Sequence, residues 1–358
     1  MMGDYRFEAK YTVRHEIMGK WLSNLYMAAG MGREDSEICA DTMVCADLRG
    51  VYSHGAMRAP IYAQRMREGG TSPVNQPAVA MDFQAVAVMD GKNAMGQVVS
   101  YRAMELAISK ADKFGIGCVA SRGSNHCGML SYYSDMAQKK DMFGMAFTVG
   151  SANFMAPWGG LDARVGNNPY SVAFPAGKTA PVNLDMANSM VARGKVIIAA
   201  KTGTSIPDTW MLDAHGNPTT DPNEGLKGTG RPVGDYKGFG VAYVFGILSA
   251  MLSGAAFGDE IRDLYASIGN GQNLGQTMIA IDISKFVDLK RFKDRIDESA
   301  AYVKSSRKKP NAEIFTPGEP EYLNEARQRV DGIGYPMEVI RDLGKISGEF
   351  GIEALVKL

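Results

Sequence analysis

The chain has 358 residues, 45% hydrophobic and 22% charged, with Lys plus Arg equal to Asp plus Glu at 39 each. This is an ordinary globular composition, long enough for two or three domains and a sizeable core. Nothing in that charge balance calls for nucleic acid or an anionic membrane as a partner. Cys39, Cys45, Cys118 and Cys127 make no C-x-x-C pair and no zinc spacing, so reduced thiols in a cytoplasmic protein are expected, and no metal. Residues 1–13 contain no apolar signal core, which argues against secretion.

Apolar residues at helical spacing predict a first helix over 12–29, stopping at Gly30. A second helix, capped by Asp35, runs to Gly50, and a third spans about 60–67 with Pro60 in its first turn. His54 and Arg58 lie on the turn between the last two. Residues 86–89 read as a strand, 97–114 as an amphipathic helix, 117–120 as a short strand and 129–139 as another helix. Strands are predicted near 143–148, 171–174 and 182–185, followed by a turn-rich loop at 205–221. The longest apolar run, 239–257, is broken by Gly240, Gly246, Ser249, Ser253 and Gly254. It predicts a buried helix, not a membrane span. A strand at 278–282, a charged amphipathic helix at 286–304, a basic link at 305–310 and further helices complete the chain. There is no internal repeat.

Four stretches could carry chemistry. His54 can exchange a proton near neutral pH, and Arg58 can grip a carboxylate with two parallel hydrogen bonds. Together they suit a small acid with a reacting oxygen beside its carboxylate. His126 stands in the loop Ser121–Gly128 after a strand, a place where rigid scaffolds present reactive groups. Asp185 ends an apolar strand, either as the partner of a histidine or as a helix cap. Lys237 sits at a helix N-terminus, which suits a bound anion such as a phosphate or else a solvated lysine.

Gly115-Ile116-Gly117-Cys118-Val119-Ala120 matches a relaxed dinucleotide fingerprint, but a helix precedes it and a strand follows. The true motif has the reverse context, so a Rossmann loop is not expected here. A Ser-His-Asp hydrolase is disfavoured because Ser53 and His54 are sequence neighbours and no G-x-S-x-G elbow exists. A non-catalytic binding module is the third class, and it would need no histidine–carboxylate pairing.

Nine segments, in order, resemble the malate/L-lactate dehydrogenase family that is unrelated to the Rossmann lactate dehydrogenases. They are Arg49–Gly55 with Arg58, Asn125–Gly128, Ala156–Gly160, Gly166–Pro169, Leu184–Ala187, Val191–Lys195, Gly216–Pro222, Tyr236–Gly238 and Pro317–Glu319. The resemblance covers about residues 12–335. It implies an α/β fold with a non-Rossmann NAD(P)-binding core and a helical domain built from N-terminal and later segments. The expected division is a helical unit at 1–75 joined by 235–265, an α/β core at 76–234, and a core strand with C-terminal helices at 266–358.

The resemblance also implies a homodimer that uses NAD or NADP. It would move a hydride between nicotinamide and C2 of a small 2-hydroxy or 2-oxo acid. His54 matches the acid/base histidine, with Asp185 its orienting partner, and His126 matches a second active-site histidine. Arg58 matches the substrate carboxylate clamp. Ser151, Asn183, Leu184, Asp185, Met186, Ala187, Tyr236, Lys237, Gly318 and Glu319 fall where members hold the dinucleotide. Residues 205–210, 218–222 and 271–276 look closest to ureidoglycolate dehydrogenase, whereas Asn125-His126 and Val191–Lys195 look more like the malate/lactate branch. A cyclic imino acid or diketogulonate reductase of the same family is the alternative. Asn167-Asn168-Pro169 departs from the common Gly-Thr-Asn-Pro, which puts the hydrogen bonding of that loop in question.

Overall fold

A computed structural model describes residues 11–355. The reading of the N-terminus as lacking a signal lies mostly outside those residues.

A short strand β1 (Tyr11–Val13) opens the described chain and is followed by α1 (His15–Ala28), α2 (Arg33–Leu48) and α3 (Ala59–Arg67). The first predicted helix therefore starts later than its periodicity suggests, because residues 11–13 pair with β12 (Ile333–Tyr335). Asp35 does not cap α2. Gly32 holds that position, and Asp35 sits in the first turn facing Arg102 at 3.7 Å. Two single 3-10 turns, Tyr52–His54 and Ala56–Arg58, join α2 to α3.

The middle of the chain builds one seven-stranded mixed sheet. Its strands are β2 (Ala78–Phe83), β3 (Val86–Asp90), β4 (Ile116–Ser124), β5 (Met142–Thr148), β6 (Tyr170–Phe174), β7 (Val182–Met186) and β11 (Leu274–Asp282). Their spatial order is β2-β3-β4-β11-β5-β6-β7. Only β3 and β4 run parallel; β11 lies antiparallel to both β4 and β5. Helices α4 (Gly96–Phe114) and α5 (Ser131–Gln138) cover the sheet through small residues such as Ala103, Ala107, Ala111 and Ala137, all fully buried. The approach is close: a side chain at Gly117 would meet the Ala107 carbonyl at 1.9 Å. Gly115, with φ +83°, ends α4 before β4 begins, so the relaxed glycine fingerprint is a helix stop.

After β7 comes the region that holds the predicted turn-rich loop 205–221, in which only two strands of two residues each are regular. It folds as α6 (Arg193–Thr202), a small sheet of β8 (Met211–Leu212), β9 (Pro218–Thr219) and β10 (Thr229–Gly230), and α7 (Pro222–Lys227). The apolar run expected as a buried helix is α8 (Tyr236–Gly246) with a π turn over Ile247–Met251. Only one face is buried in this chain, through Ala242, Ser249 and Ala250; on the other Val244 is 53% exposed, Met251 52% and Leu252 56%. No helix among the described residues is long and apolar enough to cross a membrane. The chain then forms α9 (Leu289–Lys304), capped by Asp288, then α10 (Glu319–Asp331), β12 and α11 (Met337–Phe350).

The buried apolar residues fall into separate clusters. The first unites α1, α2 and α3 with Ile333, Tyr335, Ile340, Leu343 and Ile346; from residues 235–265 it takes Leu264. The second lies between the sheet and α4–α5. A third gathers Phe154, Val196, Met211 and Ala242. The histidine-bearing turn lies where the helical cluster meets the loop after β4.

Candidate active site

Residues 52–58 form two 3-10 turns hinged at Gly55. Ala56 turns into the helical cluster and Tyr52 packs against it, whereas Ser53 and Met57 are exposed and His54 and Arg58 half-buried. The fold brings His54 against His126, with ring centroids 5.5 Å apart and planes at 17°. Both rings are half-buried.

Each imidazole has a hydrogen-bond partner on one edge. Ser53 Oγ lies 3.0 Å from His54 Nδ1. Tyr62, on α3, places its hydroxyl 2.6 Å from His126 Nδ1, and the backbone N–H of Gly128 donates to the same nitrogen at 3.4 Å. A nitrogen that accepts from an amide carries no proton, so neutral His126 holds its proton on Nε2. Burial holds the Tyr62 phenol above its ordinary range, which keeps it a donor. Burial, and then the charge of Arg58, push His54 down to about 3. Burial, His54 and Arg58 hold His126 well below the usual imidazole range. Both rings are therefore neutral near pH 7.

Arg58 donates from Nε to the Ser53 carbonyl at 2.7 Å, from Nη1 to the Tyr265 hydroxyl, and lies 5.4 Å from the centre of that ring. Among the described residues it forms no ion pair with a carboxylate. A guanidinium held this way, without a carboxylate partner, has N–H donors left to receive an anion.

Asp185 does not reach either histidine by a hydrogen bond. Its Oδ2 accepts from the backbone N–H of Ser131 at 2.7 Å, so it caps the start of α5. The expected His54–Asp185 pair is thus replaced by a helix cap, though of a helix other than the one following Asp185. Burial pushes this carboxyl up to about 6. Its strand end stays beside the 126–131 loop.

The segments matched to dinucleotide binding have different surroundings. Asn183 is 4% exposed, and its side chain is consumed internally by Ser171, Ser131, Ser134 and Asp135. Its side chain is thus fully engaged within the fold. Leu184, Met186, Ala187 and Ser151 are half-exposed. Asn168 ties their neighbours together: it accepts from Gly150 N, accepts at its carbonyl from Asn188, and donates to the Ala242 carbonyl. In the departing Asn167-Asn168-Pro169 stretch, Asn168 thus makes three hydrogen bonds and the Asn167 carbonyl accepts from Asn188 N. Tyr236 packs edge-on to Trp158 at 6.1 Å, and Lys237 lies over Tyr236 at 6.0 Å. All three are exposed, and Lys237 has no carboxylate partner among the described residues. Exposed aromatic faces with an unpaired ammonium fit a nucleotide's base and phosphates. Gly318 packs onto Asn183, and Glu319 accepts from Thr316 and pairs with Lys304.

Sequence reasoning missed the supports. Arg65 is 1% exposed and donates to the carbonyls of Leu264, Ser267, Gly70 and Asn270. It fastens the segment carrying Tyr265 to α3. Gln272 accepts from His126 N and donates to the Arg262 carbonyl. The helical spacing of Arg58, Tyr62 and Arg65 was the available signal; nothing in sequence pointed to Gln272.

Comparison with known proteins decides the family. The malate/L-lactate dehydrogenase family model matches residues 13–344. The chain belongs to the malate/L-lactate dehydrogenase family. It is an oxidoreductase of small hydroxy acids. It is 37% identical over 328 residues to the malate/(S)-sulfolactate dehydrogenase of Methanothermus fervidus, covering 91% of this chain and 94% of the relative. It is 30% identical over 332 residues to the ureidoglycolate dehydrogenase of Escherichia coli K12, covering 92% and 93%. The sulfolactate dehydrogenase structure from Methanocaldococcus jannaschii superposes with TM-score 0.90 at 35% identity, covering 96% of this chain and 98% of that one. Stretches such as 271–276 that look like ureidoglycolate dehydrogenase therefore do not represent the chain as a whole, which is more similar to the malate and sulfolactate enzymes.

Proposed function

We propose that this enzyme interconverts a small 2-hydroxy acid and its 2-oxo acid, with NAD or NADP as the hydride carrier. The observation that carries the reading is the stacked pair His54–His126 beside Arg58. Arg58 binds the substrate carboxylate in two-pronged fashion and turns C2 toward the imidazoles. A neutral imidazole accepts the hydroxyl proton as the alcohol is oxidised; in reverse an imidazolium returns it. Tyr62 and Gly128 hold the His126 ring so that Nε2 faces the site. Bound nicotinamide dinucleotide supplies or takes up the hydride. Ser151, Leu184, Met186, Ala187, Tyr236 and Lys237 hold it, with Asp185, Gly318 and Glu319 shaping the wall behind. Asn183 supports that wall from inside.

Identity favours malate and sulfolactate as substrates over ureidoglycolate. A cyclic imino acid is the second reading, favoured by the similarity to the piperideine-carboxylate reductase structure from Pseudomonas syringae, TM-score 0.83 at 25% identity. The exposed apolar face of α8 supports a homodimer, since an isolated chain rarely leaves such a patch uncovered.

The test is absorbance at 340 nm with purified protein. NADH and NADPH are offered with oxaloacetate, sulfopyruvate, pyruvate, glyoxylate, diketogulonate and cyclic imino acids, and the reverse reaction with malate, sulfolactate and ureidoglycolate. Turnover of one hydroxy acid with one cofactor is expected. Silence across the panel with no cofactor binding by fluorescence would overturn the reading.

A further inference from the structure

The turn carrying His54 has a structural problem. Two 3-10 turns meet at Gly55, whose backbone is extended at φ −93° and ψ −150°. The extended joint leaves the first N–H of the second turn, that of Ala56, without a helical acceptor. Asp47, near the end of α2, supplies one: its Oδ2 accepts from Ala56 N at 2.9 Å. The same oxygen accepts from the Tyr335 hydroxyl of β12 at 2.6 Å. Asp47 is fully buried, and among the described residues it pairs with no lysine or arginine. Its Oδ1 has no partner and lies against Gly55, where a side chain would approach to 1.8 Å. Gln328 of α10 braces the same point, donating to the carbonyls of Asp47 and Leu48 and accepting from the Tyr52 hydroxyl.

A buried carboxyl without a counter-charge is costly. A cheaper solution for packing alone would be an apolar residue. Here the acid reaches one amide only, two residues past His54.

We propose that Asp47 is a positioning residue of the active site: its buried carboxyl group, anchored by Tyr335, caps the Ala56 amide and thereby fixes the Gly55 joint that aims His54 at the substrate. The proposal rests on the reading of His54 as the proton-transfer group. Gly55 is part of the device, because only a residue without a side chain leaves room for the carboxyl beneath it.

The test compares Asp47→Ala, Asp47→Asn and Tyr335→Phe in the full chain. Two readouts are used: steady-state kinetics, and nitrogen-15 spectra of the four histidines, His15, His54, His126 and His215. In Asp47→Ala, kcat should fall about tenfold or more while KM stays within about threefold. The His54 signals should shift or broaden while those of His15 and His215 hold still. Asp47→Asn, whose amide oxygen can accept both hydrogen bonds, should restore kcat to within about threefold of the original. A folded Asp47→Ala with unchanged His54 signals and kcat would overturn the proposal. Should Asp47→Ala not fold, Tyr335→Phe decides: displaced His54 signals support the role and unchanged ones refute it. If the unaltered enzyme turns over no acid but His54 still moves in Asp47→Ala, the proposed function fails and the positioning role stands.

Discussion

His54 and His126 lie ring on ring, 5.5 Å apart, although 72 positions separate them in sequence. Two like imidazoles so close cannot both be cations at little cost, so the pair shares at most one proton in the working range. Proton transfer is thus a property of the pair. Replacing His54 by Ala should cut turnover about 10²–10⁴-fold, with dinucleotide binding by fluorescence unchanged. His126→Ala should act similarly, and the double variant should cost little more than the worse single one. Additive losses in that cycle would show two independent groups.

The pH dependence should differ between directions. Oxidation of the hydroxy acid needs a neutral imidazole, and both rings are already neutral because their values are depressed, His54 to about 3. The kcat/KM for oxidation should therefore show no histidine-controlled rise between about pH 6 and 8. Reduction needs an imidazolium, whose fraction falls about tenfold per pH unit above the histidine value. Its kcat/KM should decline across the same range. Parallel profiles in the two directions would contradict the assignment.

Arg58→Lys keeps the charge and loses the fork. Its ammonium cannot make two parallel bonds to a carboxylate while also holding the Ser53 carbonyl. KM should rise about tenfold, with a smaller fall in kcat. Unchanged kinetics for every substrate would place the clamp elsewhere.

Arg65→Met removes the donors that hold four backbone carbonyls. Stability should drop by about 3 kcal/mol or more, read from the denaturant midpoint. KM should rise as well, since the segment bearing Tyr265 loses its anchor to α3. A destabilised variant with normal KM would confine Arg65 to folding.

Asp47 makes a distinct stability prediction. Burial raises its carboxyl to about 7 from the ordinary 3.8. The folded state thus binds a proton that the unfolded chain has released. That contribution is full below about pH 4 and is lost as pH rises through about 7. Asp47→Asn cannot ionise, so its melting temperature should fall less than that of the unaltered protein between pH 5 and 8. A steeper fall would reverse the sign of the argument.

Much of this was legible in the sequence because local rules governed it. The helix–strand order around Gly115 ruled out a Rossmann loop, and the Ser53-His54-Gly55 turn with Arg58 pointed to the candidate site where the fold stacks His54 on His126. The rest depends on contacts between distant segments. Asp185 ends a strand as expected, but whether it meets a histidine or the Ser131 amide depends on how β7 lies against α5. Asp47 reads as an ordinary polar residue near a helix end until β12 brings Tyr335 to it. The apolar run 239–257 looked like core because composition reports burial without saying by what. The single chain leaves much of that helix's face open.

The position of β11 has a consequence for how the enzyme comes to exist. β11 is the last strand of the sheet in sequence and the middle one in space, wedged between β4 and β5. Until residues 274–282 are made, the sheet is two separate three-stranded pieces, each with a raw inner edge. On the ribosome those edges wait for more than a hundred further residues after β5 emerges. Such distant pairing makes closure slow and leaves the nascent protein open to aggregation through its strand edges. Recovery after dilution from denaturant should accordingly depend strongly on protein concentration, falling as chains become crowded enough to meet one another's edges before their own β11 arrives.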